Sequence, residues 1–180
     1  MVGAVLLMLL VTIDPPKPPP ARMTHLRPVS EIAQRIVSDA TRASPTVVSM
    51  IAEIEQSDLI VYLDVTTGAG AEIGATRLAG ANASVRFLYV TINLTLDPHR
   101  RVAILAHELQ HVLEVAGAPD VRDAAGMQRL FERIGHSLGR QQYETSAATD
   151  VERAVDRELW ISRARSQKPK VESQKPNTGR

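Results

Sequence analysis

Apolar residues recur with helical spacing over residues 30–43, where Ile32, Ala33, Ile36, Val37 and Ala40 form one stripe. Ser44 followed by Pro45 has the form of an N-cap with proline at the first helical position, which predicts a second helix to about residue 56. Residues 59–65 are a short apolar run rich in β-branched side chains and predict a strand. The stretch over residues 68–80 is glycine-rich and predicts a turn and a weaker strand near residues 75–78. Residues 85–93 form the clearest strand pattern in the chain, and with the glycine-rich stretch they read as a hairpin. No G-x-G-x-x-G or Walker pattern occurs there, so a phosphate-binding loop is set aside.

Asp97 and Pro98 then open a helix to about residue 116, closed by Gly117 and Pro119. Residues 102–106, with Leu109, Val112, Leu113, Val115 and Ala116, make it apolar nearly all round. Such a helix lies at the centre of a fold. Further helices are predicted over residues 121–134 and 143–164. The expected class is α+β: N-terminal helices, a small β-sheet, a central helix, then a last helix.

The ends differ in kind. Residues 2–11 are continuously apolar and are followed by a proline-rich spacer, so residues 1–23 stand apart as a possible export segment. A basic leading region and a small-x-small cleavage site are missing, and ten apolar residues are too few to span a bilayer. Export to the periplasm or exterior is the expectation, with a cytoplasmic location as the alternative, and no stable membrane span is expected. The motif Ser-Gln-Lys-Pro at residues 166–169 recurs at 173–176, and the polar stretch 165–180 reads as a disordered tail. The folded unit is expected over residues 24–164, one domain's length.

Composition narrows the chemistry. Cysteine is absent, which removes disulfides and thiolate metal sites. A formal net charge of +1 argues against a general nucleic-acid binder. What remains is the run His107-Glu108-Leu109-Gln110-His111 on the apolar helix. Histidines four residues apart lie one turn apart on one face, so both imidazoles can reach one ion. Glu108, rotated about 100° from His107, can stand beside that ion as general base without binding it. Imidazole and carboxylate donors suit Zn2+ in a hydrolytic site. Three ionisable groups on an otherwise buried helix would be costly without a partner, which makes accident the weaker reading.

A catalytic zinc needs a third ligand and an open position. On a helical wheel of the last helix, Glu144 centres a stripe with Ala148, Val151, Val155 and Leu159. Glu144 is therefore the preferred third ligand and Glu152, on the flank of the stripe, the alternative. First-turn stabilisation of the helix dipole is the bland reading of Glu144. His136 and Tyr143 are the candidate transition-state stabilisers nearest the last helix, and either can equally be a plain structural or surface residue.

The five-residue motif, followed 33 residues later by Glu144-Thr145-Ser146-Ala147-Ala148, resembles the gluzincin branch of the zincin metallopeptidases. The likeness covers about residues 85–160 and also extends to small bacterial zincin-like proteins. It implies a minimal zincin-like domain, zinc held by His107, His111 and Glu144, Glu108 as base, and cleavage of a peptide or protein substrate. It further implies an edge strand, placed at residues 85–93, that pairs with extended substrate. One departure stands out: Ala148 occupies the place where the family often has an aspartate that orients a histidine. Glu152 and Asp156 preserve the glutamate-to-aspartate spacing, which keeps Glu152 open as ligand. The metzincin pattern of a glycine and third histidine is absent. Two other functions remain open: a zinc-binding scaffold without turnover, and a non-peptide metallohydrolase. Oligomeric state is not legible.

Overall fold

A computed structural model describes residues 25–68, 72–139 and 142–166. The apolar and proline-rich segment at 1–23 lies outside the described residues, as does the polar tail from 167 onward. Among the described residues the protein is a mixed α+β structure with five helices, a four-stranded mixed sheet and a two-stranded ribbon. None of these helices is long and apolar enough to cross a membrane.

The chain opens with β1 (Leu26–Pro28), then α1 (Glu31–Ala43) and α2 (Pro45–Ile54). Side chains satisfy the free N–H groups that every helix leaves at its start. Ser30 accepts from Ala33 N at 3.2 Å to begin α1, and Ser44 accepts from Val47 N at 3.1 Å ahead of Pro45. Next come β2 (Leu59–Thr66), β3 (Gly74–Ala81) and β4 (Arg86–Asn93). The sheet order is β1-β2-β4-β3, with β1, β2 and β4 parallel and β3 antiparallel to β4.

Register puts Leu26 beside Val61, Val61 beside Leu88 and Leu78 beside Leu88, an apolar row across all four strands. With Leu63, Val90 and Ile92 this face is sealed under the helices. The opposite face carries Arg27, Tyr62, Tyr89 and Arg77 in the matching row, half-buried or exposed. That two-residue alternation fixes the register, because a slip of one residue would send every leucine and valine of the row outward.

Helix α3 (Pro98–Ala116) is the hub, packing on α1, α2, β3 and β4 and most extensively on the last helix. Asp97 caps it, accepting from Arg100 N at 3.1 Å. Its far end is held by Arg86, a fully buried side chain at the start of β4. Arg86 donates to the carbonyls of Val115 and Ala118 at 2.7 Å each, and to both oxygens of Asp58 at 2.9 and 2.5 Å. The guanidinium thus adds a donor to two carbonyls that also accept from Ala118 N and Val121 N at 3.0 Å each, and neutralises itself on Asp58. The sequence reading did not single out Arg86.

Helix α4 (Ala124–Ile134) leads to the ribbon β5 (His136–Gly139) and β6 (Gln142–Glu144), and α5 (Ser146–Ser166) ends the described chain. Three expectations need correction. Residues 85–93 do not form an edge strand: β4 is internal, flanked by β2 and β3, and the edge beside it is β3. The last helix begins at Ser146, so Glu144 ends strand β6 and the helical wheel that placed it was drawn on the wrong element. For the same reason Glu144 does not stabilise the first turn of a helix. Strand β1 and the ribbon β5–β6 were not anticipated.

Candidate metal centre

His107 and His111 lie on the face of α3 turned toward β3, α4 and β6, at the floor of a cleft of about 940 Å³. Their rings meet edge to face with centroids 5.0 Å apart. Glu144 reaches the same place from the end of β6, with Oε1 3.4 Å from His107 Nε2. One ligand-capable atom from each of His107, His111 and Glu144 lies within 4.8 Å of the other two. Glu144 is seated partly by close backbone approach at Gly135, where a Cβ would stand 2.6 Å from the Glu144 carbonyl oxygen. Only glycine leaves room for that contact.

Carboxylates hold both imidazoles from behind. Glu152 Oε2 lies 2.9 Å from His107 Nδ1, and Glu114 Oε2 lies 2.8 Å from His111 Nδ1. Each pairing fixes a tautomer and turns Nε2 of each ring toward the cleft as the available donor. Glu152 is itself paired with Arg100, and Glu114 accepts from the Thr145 hydroxyl at 2.6 Å. Burial opposes a charge on His111, but the Glu114 hydrogen bond and the carboxylates of Glu108, Glu114 and Glu144 outweigh it and raise its pKa.

The alternative third ligand therefore has a different place. Glu152 is outside the converging group and braces His107, two turns along α5 from Thr145. It fills the orienting role that seemed vacant at Ala148, which is buried and apolar. Glu152 was visible in the sequence as an acidic residue beside an apolar stripe. Glu114, three residues beyond His111 on its own helix, was missed, although its spacing was available as a signal.

Glu108 is buried against β3. Thr76 on β3 donates to its Oε2 at 2.7 Å, and a Cβ on Gly74 would come within 2.5 Å of its Oε1. Burial pushes the Glu108 carboxyl above the ordinary carboxylate range, against the opposing pulls of His111, the Thr76 hydroxyl and His107. A carboxylate of raised basicity beside two imidazoles is suited to taking up a proton.

Tyr143 lines the cleft but its hydroxyl donates to Glu132 Oε1 at 3.0 Å. His136 is exposed on β5 and is not among the residues lining the cleft. The cleft walls are largely apolar, with Ile73 and Ile104 on one side and Met127, Phe131 and Leu138 on the other. Phe131 touches the metal-type cluster directly, edge to face with His111 at 5.2 Å.

The donor set can hold a divalent ion: two imidazole nitrogens and one carboxylate, braced from behind and open on the cleft side. Comparison with known protein families, curated proteins and solved structures finds no match for this chain. The class defined by fold and site is thus an α+β protein with a His-His-Glu group at the floor of an apolar-walled cleft.

Proposed function

We propose that this protein is a zinc-dependent hydrolase of zincin-like, gluzincin type, acting on peptide bonds. The observation that carries the reading is the convergence of His107, His111 and Glu144 within 4.8 Å, with the buried Glu108 carboxylate on the same helix turn. The nitrogen and oxygen donors fit zinc, and the two carboxylate braces suit ligands that must hold one geometry.

Zinc, when bound, supplies Lewis acidity that polarises a carbonyl and makes water acidic near neutral pH. The remaining work falls to the chain. Glu108, held through Oε2 by Thr76, takes the proton of the attacking water and returns it to the departing amine.

A peptide is favoured over other hydrolysable substrates by β3. It is the edge of the sheet, it pairs on one side with β4, and residues 72–78 line the cleft. An edge strand offers unpaired N–H and C=O groups to which an extended peptide can add. A non-catalytic zinc scaffold would have no use for a base buried beside the ligands.

The test is metal content. Purified protein should carry about one zinc per chain by elemental analysis, and the His107→Ala/His111→Ala double variant should carry none. Full retention in the double variant would remove the reading.

A further inference from the structure

Thr145 joins both arms of the cluster through one buried side chain. It lies between β6 and α5, directly after Glu144, and is 2 % exposed. Its hydroxyl accepts from Ala148 N at 3.1 Å, which caps α5. That bond occupies the acceptor side of the oxygen and directs the hydroxyl proton at Glu114 Oε1, 2.6 Å away. The other oxygen of Glu114 holds His111 Nδ1 at 2.8 Å. The backbone N–H of Thr145 meanwhile donates to Glu144 Oε1 at 3.0 Å.

We propose that Thr145 is a positioning residue that sets metal affinity by holding Glu114, and through it the His111 imidazole, in register with Glu144. The inference rests on the metal-centre reading given above. The physical ground is economy of freedom. Glu114 has three side-chain torsions, and without a second anchor its carboxylate can swing away from His111. With Oε1 held by Thr145, Oε2 is aimed at Nδ1 and the ring keeps the tautomer that offers Nε2 to an ion. Because α5 starts at the same residue, the capping of that helix and the geometry of the site are one structural event. His107 has a separate brace in Glu152 and Arg100, so loss of the Thr145 link should loosen one ligand only.

The experiment measures zinc dissociation constants of the full chain by competition with a chromophoric chelator, alongside thermal unfolding of the zinc-free protein. Thr145→Val keeps shape and the N–H bond to Glu144 but removes the hydroxyl, while Thr145→Ser restores it. Glu114→Gln leaves one acceptor oxygen where the Thr145 hydroxyl and His111 Nδ1 use two, so it breaks the Thr145–His111 link while the α5 cap stays untouched. Ser30→Ala removes a helix cap of the same kind at the remote start of α1. We expect Thr145→Val and Glu114→Gln each to weaken zinc binding by about 10- to 100-fold, the range seen when outer partners of a ligand are lost. Their double variant should be no weaker than the worse single one, since both break one link. Thr145→Ser should bind within about twofold of wild type, and Ser30→Ala should lose thermal stability with affinity unchanged. Unchanged affinity in Thr145→Val, or losses that multiply in the double variant, would overturn the proposal while leaving the metal centre standing. Absence of zinc binding in the wild type would overturn both.

Discussion

Glu152 stands behind His107, with Oε2 2.9 Å from Nδ1 and its second oxygen engaged by Arg100. Nearby Glu144 faces Nε2 of the same ring at 3.4 Å. Two glutamates thus address opposite nitrogens of one imidazole, and the proposed function makes Glu144 a ligand and Glu152 a brace. Glu144→Ala should nearly abolish zinc binding. Glu152→Gln should weaken it by about 10- to 100-fold without abolishing it. Titration of each variant against a chelator of known affinity separates the roles, and equal losses would show that they had been divided wrongly.

Gly74 allows β3 to lie against the Glu108 carboxylate. A methyl group there would sit 2.5 Å from Glu108 Oε1 and 2.7 Å from Ile104 Cγ2. Gly74→Ala should displace the carboxylate from its hydrogen bond with Thr76 while leaving His107, His111 and Glu144 in place. Turnover is expected to fall by about 100-fold, the scale of a misplaced general base, with zinc content unchanged. Parallel loss of zinc would mean that β3 supports the ligands as well.

Much of this arrangement was legible in the sequence, and the failures have physical causes. Helix α3 was readable because Asp97-Pro98 caps it and its apolar positions cover the whole circumference, which only a central helix tolerates. The histidine spacing then carried over directly, since four residues make one turn in any helix. Glu144 was selected for a wrong reason: the apolar stripe of α5 is real at Ala148, Val155 and Leu159, but the helix starts after Glu144. Strands of three or four residues such as β1, β5 and β6 are too short to show a period. Strand order is likewise invisible to local pattern, so nothing in residues 85–93 could check the edge position that the resemblance implies, and the strand is internal. Arg86 was hidden because a buried guanidinium is legible only once its carbonyl partners on α3 are brought to it by the fold.

The Asp58–Arg86 pair predicts an acid-sensitive fold. The Arg86 hydrogen bond, with its charge, holds the Asp58 carboxyl below the ordinary value of 3.8 in spite of partial burial. A carboxyl depressed in the folded state contributes stability that is present above its unfolded pKa of about 4 and disappears as pH falls through the folded value. Chemical unfolding of the zinc-free protein should therefore show a decline below about pH 4 that is shallower in Asp58→Asn. Arg86→Met should cost about 3 kcal/mol at neutral pH, because it removes the buried partner of Asp58 together with the guanidinium bonds to the Val115 and Ala118 carbonyls. A variant as stable as wild type would contradict the role given to this anchor of α3.

The proposed function requires Glu108 to act as a base and not as a ligand. The most direct measurement compares wild type with Glu108→Gln for zinc content and for cleavage of a broad library of unstructured peptides. A base role for Glu108 predicts equal zinc in both proteins and a rate at least about 100-fold lower in the variant. Equal rates in the two proteins, or no cleavage by zinc-loaded wild type, would contradict it.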